Sequence, residues 1–188
     1  MNPLGMQLKA LVDLFRKTKT PYVIIGGLAV SLYGEPRATF DIDVNILLER
    51  DKLDSFLIIS KKYGFYPIPS KIKSFIKSTS VIPMEFRRKG INSNCDIIIA
   101  ENPIELASIK RGKIKNIWSL KVRFITPEDL IVHKITSCRQ KDREDVKGIL
   151  IRQKKLDIKY IKNWLKLIER ADSNIKLLDI FNDLRRGL

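Results

Sequence analysis

Apolar residues recur three and four apart at Leu8, Leu11, Val12 and Phe15, so residues 5–19 predict an amphipathic opening helix. Pro21 ends it, and Tyr22 to Ile25 form a short apolar strand that runs into the pair Gly26–Gly27. Gly27 to Tyr33 predicts a short helix closed at Gly34. The alternating, β-branched run TFDIDVNILL, residues 39–48, is the clearest strand of the chain. Residues 50–63 return to helical spacing and stop at Gly64, and Phe65 to Pro83 mixes prolines with lysines, as in a basic, irregular excursion. Three further strands are expected in PMEFRR, in CDIIIA after the turn-rich KGINSN, and in LKVRFI after a loop containing KRGK.

From residue 126 the pattern is helical throughout. Thr126 is a candidate N-cap, Pro127 fits the first helical position, and Glu128 and Asp129 suit the positive end of the helix dipole. DREDVKGILI, DIKYIKNWLKLIERA and SNIKLLDIFNDL each carry apolar residues at helical spacing, with Asp157 and Ser173 as candidate caps. The expected organisation is an α/β part over residues 1–125 and a helical C-terminal part over 126–188 that packs on it, since pattern changes at the boundary without a linker.

Composition narrows the function classes. No run approaches the roughly 20 apolar residues of a membrane span, and the first residues lack the features of a secretory signal, so a cytoplasmic protein with no membrane partner is expected. Cys95 and Cys138 lie in no metal-binding spacing and read as small core residues; Trp118 and Trp164 read as packing residues, and His133 as a packed or solvated one. Thirty-six Lys and Arg against 21 acids give a net charge of +15, which favours a polyanionic or nucleotide partner; lysines that merely solvate helix faces are the other reading.

Against that basic background two acids stand on one apolar strand. Residues i and i+2 of a strand point to one face, which puts Asp41 and Asp43 roughly 6–7 Å apart at their Cα atoms. Like charges that close repel, and a divalent cation removes the difficulty. Mg²⁺ accepts oxygen ligands and is commonly held by one or two carboxylates together with substrate phosphates. Asp96 opens the apolar strand CDIII and, on a strand beside the first, would supply the third carboxylate of a phosphoryl-transfer centre. Gly26 and Gly27, between a strand and a helix N-terminus, let backbone N–H groups approach phosphate oxygens.

These residues resemble the signature of the nucleotidyltransferase superfamily related to DNA polymerase beta, and more closely that of the AbiEii/AbiGii-type toxins. The first motif of that group stands here as Gly26, Gly27, Arg37, Thr39, Asp41 and Asp43, and PEDLIVHKITSCRQKDREDV resembles the second, with Lys134, Arg139, Lys141, Asp142, Arg143 and Asp145. The resemblance covers about residues 20–150. It implies an α/β (α+β) fold with a nucleotidyltransferase-type mixed sheet flanked by helices and followed by a helical C-terminal part. It also implies a transferase that moves a nucleoside monophosphate from NTP to a hydroxyl of RNA (a tRNA 3′ end above all), of a protein or of a small molecule. A cognate antitoxin would be a further partner.

The resemblance makes Asp41, Asp43 and Asp96 ligands of Mg²⁺ (or Mn²⁺), with Asp96 also activating the hydroxyl. It gives Gly26, Gly27, Arg37, Thr39 and Asp145 to nucleotide binding, and makes Lys134, with Asp142, part of the catalytic set as the cation that neutralises phosphate charge. Local charge leaves other roles open: Arg37 paired with Asp41 or Asp43, Lys134 solvated or held by Asp142, and Asp142 or Asp145 paired with Arg139 or Arg143. A kinase using the same acids and a non-catalytic nucleotide- or RNA-binding module are the competing readings.

Overall fold

The computed structural model of the protein describes residues 2–137, 139–171 and 175–187; the expectations for Cys138 as a core residue and Ser173 as a cap fall outside them. The chain divides into two compact units, Met1–Leu28 with Ala38–Phe124, and Ala29–Arg37 with Ile125–Leu188.

The first unit is built on a seven-stranded mixed sheet, with helices packed against its strands. In chain order its elements are α1 (Pro3–Thr18), β1 (Tyr22–Ile24), the first turn of α2 (Gly26–Tyr33), β2 (Ile42–Ile46), a 3₁₀ turn at Arg50–Lys52, α3 (Leu53–Lys62) and β3 (Phe65–Pro67). They continue with α4 (Ile72–Thr79), β4 (Val81–Arg88), β5 (Ile91–Ile99), α5 (Pro103–Arg111), β6 (Lys113–Ile117) and β7 (Leu120–Phe124). The strand order is β3-β4-β5-β2-β1-β7-β6, with β2–β5 and β1–β7 parallel and the other pairs antiparallel.

The opening helix starts where Asn2 caps it, its side chain accepting from the Gly5 N–H at 2.8 Å, with Pro3 at the first helical position. The expected stripe of Leu8, Leu11, Val12 and Phe15 is fully buried. Phe15 meets the rings of Tyr22 and Phe56, at 4.7 and 6.4 Å between centroids, which ties α1 to β1 and α3. On the core face of the sheet, alternate residues Ile42, Val44 and Ile46 of β2 and Cys95, Ile97 and Ile99 of β5 are buried in register.

Five local readings are corrected. The strand at 39–48 is shorter, because residues before Ile42 form no ladder. The segment after Phe65 is not irregular: β3 pairs with β4 through Phe65↔Phe86, and α4 lays the single buried residue Ile76 inward. KGINSN is mostly strand, since Lys89 and Gly90 turn the chain alone, both at positive φ, as a two-residue hairpin requires. The loop around KRGK is in fact α5, capped reciprocally by Asn102 and Glu105, followed by β6. Trp118, expected in a core, is 41% exposed at the β6–β7 turn, while Trp164 is half-buried edge-on to Tyr160.

The second unit is helical: the rest of α2, then α6 (Pro127–Thr136), α7 (Gln140–Arg152), α8 (Ile158–Ala171) and α9 (Leu177–Arg186). Both testable caps form, Thr126 accepting from the Asp129 N–H at 3.2 Å and Asp157 from the Tyr160 N–H at 2.9 Å. The stretch 29–37 belongs here because it lies on α7. Gln153 and Arg152 donate to the carbonyls of Tyr33 and Gly34 at 2.7 and 2.9 Å, and a Cβ on Gly34 would come within 3.1 Å of the Ile149 backbone.

Phe15 holds three elements of the first unit. Phe15→Ala should cost about 3–5 kcal/mol, the range for emptying a buried aromatic site, read as a lower urea midpoint at unchanged slope.

Candidate active site

The end of β1 and the start of β2 are locked together. The Ile25 N–H donates to the Asp43 carbonyl at 2.9 Å, and the chain then turns into α2 through Gly26 at φ +61°. A Cβ on Gly26 would sit 1.8 Å from Asp43 Oδ2, so the Asp43 carboxylate lies directly on the glycine backbone. No other residue type fits that position. The first turn of α2, where Gly26 and Gly27 stand, is thereby presented beside a carboxylate.

Asp43 is the register partner of Asp96 on the parallel neighbour β5. Residues in register share a face of the sheet, so these two acids project together, Asp43 half-buried and Asp96 exposed at its rim. Asp41 sits at a bend ahead of β2 rather than on the strand, and is exposed. It still reaches the same place: partial loss of water first, then the negative charge of Asp41, raise the Asp96 pKa above the usual carboxylate range. The Cys95 thiol, on the opposite face of β5, is pushed well up by burial and then by the charges of Asp43, Asp96 and Asp41. Three acids, from β2, the bend before it and the middle of β5, therefore act on one locality. Their donor set, three carboxylates under mutual repulsion, suits a hard divalent cation. Among the described residues, however, no group of three or more His, Cys, Asp or Glu side chains is drawn together closely enough to hold a metal ion.

Thr39 Oγ1 donates to the Asp41 carbonyl at 3.2 Å and so shapes the bend that carries Asp41. A cavity of about 660 Å³ opens beside it, lined among others by Thr39, Phe40, Asp41, Asn92 and Asn94. Phe40 is 79% exposed, an aromatic face the sequence pattern had assigned to a strand. Asn45 was also missed: it is buried, two positions beyond Asp43 on the same face, with Nδ2 unpartnered among the described residues. Its signal was the run of three polar residues at alternate positions, Asp41, Asp43 and Asn45.

The remaining sequence candidates gather in the second unit. Lys134 Nζ pairs with Asp142 in a short contact and with Asp145 at 2.8 Å, all three side chains being less than a tenth exposed. Arg37 donates Nε to Asp145 at 3.1 Å, so its carboxylate partner is Asp145. Asp142 also accepts from Arg139 Nε at 2.6 Å and from Ser137. Burial alone would raise the Asp142 pKa; hydrogen bonds from Lys134, Ser137 and Arg139 outweigh it and hold the group below the usual range. Lys134 is thus a buried, carboxylate-held lysine in this structure, not a solvated one.

Solved structures of known proteins share this architecture. An antigenic nucleotidyltransferase-like protein from Paracoccidioides brasiliensis superposes with a TM-score of 0.53 at 17% identity, over 97% of this chain and 91% of that one. The antibiotic-resistance factor ANT(2″)-Ia gives 0.59 at 13% identity, over 93% and 96%. The lincosamide antibiotic adenylyltransferase LnuA gives 0.51 at 17% identity, over 78% and 96%. The chain has a nucleotidyltransferase-type fold. At these identities the likeness is one of fold. A family described as nucleotidyltransferase of unknown function (DUF6036) matches residues 112–184, which contain the lysine–aspartate cluster of the fold and none of Asp41, Asp43 and Asp96. No curated protein matches the chain significantly in sequence.

Two outcomes follow from these charges. Asp96→Asn should stabilise the protein at neutral pH, because a carboxyl whose pKa is raised in the folded state costs stability as pH rises through that pKa. The gain, read as melting temperature across pH, should shrink as pH falls and be lost below about 3, where the acid is protonated both folded and unfolded. Lys134→Ala should destabilise by about 3 kcal/mol, the low end for breaking a buried pair, since Arg139 and Arg37 still hold the two aspartates.

Proposed function

We propose that the protein is a metal-assisted nucleotidyltransferase that moves a nucleoside monophosphate from NTP to a hydroxyl, with release of pyrophosphate. The observation that carries this reading is the in-register pair Asp43–Asp96 at the mouth of the Gly26–Gly27 turn, with Asp41 bearing on Asp96. The DUF6036 match and the likeness in fold to an antibiotic-resistance factor and to a lincosamide antibiotic adenylyltransferase support the same chemistry.

In this reading Gly26 and Gly27 donate backbone N–H groups to phosphate oxygens at the positive end of α2. Asp41, Asp43 and Asp96 would hold Mg²⁺ or Mn²⁺ by closing on it, and the ion would supply neutralisation of the triphosphate charge. Asp96, in register beside Asp43, takes the proton of the attacking hydroxyl. The new bond is from that oxygen to the α-phosphorus; the bond that breaks frees pyrophosphate. Lys134 and Arg37, held by Asp142 and Asp145 within the second unit, are the cations this reading assigns to phosphate. Thr39 supports the bend at Asp41, and the cavity beside Phe40 gives room for a base or an acceptor. The net charge of +15 favours RNA as acceptor, and the second motif carries the closer relation to the AbiEii/AbiGii-type toxins and with it an antitoxin partner.

The test is incubation with α- and γ-labelled NTPs and total RNA, with Mg²⁺ or Mn²⁺. Transfer of α-label is expected, at least 10²-fold lower in Asp43→Asn, the scale for losing preorganised charge stabilisation. Label transferred from the γ-position alone would make the protein a kinase, and no transfer by the native protein would leave a binding module.

A further inference from the structure

The end of the sheet away from the acids carries a different surface. β1 runs from Tyr22 toward Gly26 and antiparallel β2 pairs Tyr22 with Ile46, so Tyr22 marks the strand end roughly 10 Å along β2 from Asp43. A cavity of about 520 Å³ opens there between the end of α1, the end of α5 and β7. Its charged lining is Arg16, Lys19, Lys110, Lys121 and Arg123, and it includes no acid. Arg16 is also paired with Asp13 at 3.3 Å. The Arg123 guanidinium donates to the carbonyls of Ile109 and Lys110, at 3.2 and 3.1 Å from Nη2, which fixes it in place, and it forms no ion pair among the described residues. Lys19, Lys110 and Lys121 form no ion pair among the described residues. Both Arg16 and Arg123 bear electrostatically on the Tyr22 phenol at the cavity floor.

The cationic track continues. A second cavity of about 570 Å³ shares Lys19, Thr20 and Pro21 with the first and adds Lys17 and Lys52, its one acid, Glu49, being paired with Lys52 at 2.6 Å. Anionic carbonyl ends of α1 are not bare here, since the N–H groups of Lys19 and Thr20 cap the Arg16 and Phe15 carbonyls at 3.4 and 3.0 Å. Two joined concavities with a net excess of positive charge fit a chain of regularly spaced phosphates better than a single anion.

We propose that this basic track is a docking surface for the phosphodiester backbone of RNA, separate from the carboxylate site and holding the body of the chain while its end is free for other contacts. The choice of RNA among polyanions rests on the transferase reading, in which an RNA hydroxyl is the acceptor; the surface itself does not. Contacts to phosphate carry affinity without sequence, so binding here is salt-dependent and tolerant of base composition.

The experiment is fluorescence anisotropy of the full chain with a labelled single-stranded oligouridylate between about 50 and 200 mM salt. The double variant K110E/K121E should bind at least about ten-fold more weakly at low salt, and the neutral K110Q/K121Q should lower the log–log salt slope by about 1.4, two phosphate contacts' worth. Melting temperatures of both variants near that of the native protein would show that the surface, not the fold, was changed. Native affinity and slope in both variants overturn the proposal, and so does equal displacement of the RNA by polyglutamate, which would make the track a docking site for acidic protein. Transfer of α-label, measured on the same samples, separates the two ideas: label on RNA with unchanged binding by the variants sinks the track alone, and lysine-dependent RNA binding without any transfer sinks the transferase reading alone.

Discussion

A carboxylate resting on a glycine backbone governs the first unit. Because Asp43 occupies the volume a side chain at residue 26 would need, the strand that carries it and the turn that opens α2 cannot move independently. The backbone bond from Ile25 to the Asp43 carbonyl adds a second tie. Register does the rest: once β2 is fixed, parallel pairing puts Asp96 beside Asp43, and the buried alternate residues Ile42, Val44, Cys95 and Ile97 prevent a one-residue slip that would turn the acids inward. Core packing on one face of the sheet thus determines electrostatics on the other.

The two units carry their carboxylates under opposite conditions. In the first, partial burial and then the charge of Asp41 push the Asp96 pKa up, a cost the fold tolerates because Asp41 and Asp96 remain open to water. In the second, Asp142 and Asp145 are nearly sealed from water, and Lys134, Arg139, Ser137 and Arg37 compensate them. Burying those charges is affordable only with such satisfaction of each oxygen. The first arrangement keeps its acids close to water; the second supplies its own cations.

What could be read from the sequence follows the physical range of each signal. Caps at Thr126 and Asp157, the α1 stripe and the glycine-to-acid spacing are local and were legible. The rule of alternation failed where pairing decides: Phe40 has strand propensity but no ladder neighbour, and residues 91–94 look like a turn until β4 lies beside them. Helix α5 was hidden by the basic residues at its end, which suit a helix C-terminus as well as a loop. The partner of Arg37 lies 108 positions away, beyond any local pattern, so the nearer Asp41 and Asp43 drew the expectation instead. Asp96 was placed correctly beside Asp43 because the apolar composition of its strand marked it as central.

The parallel pairing of β1 with β7 has a consequence for how the protein is made. β1 sits inside the sheet, yet one of its neighbours is encoded about a hundred residues later, Ile24 meeting Phe124. During synthesis the nascent chain can zip β2 onto β1 early, since the two are close in sequence, but the other side of β1 stays an open, apolar strand edge until the ribosome has released residue 124. Such late closure is slow in the way all long-range pairings are, and it leaves Val23 and Ile24 as the segment most in need of shielding while translation proceeds.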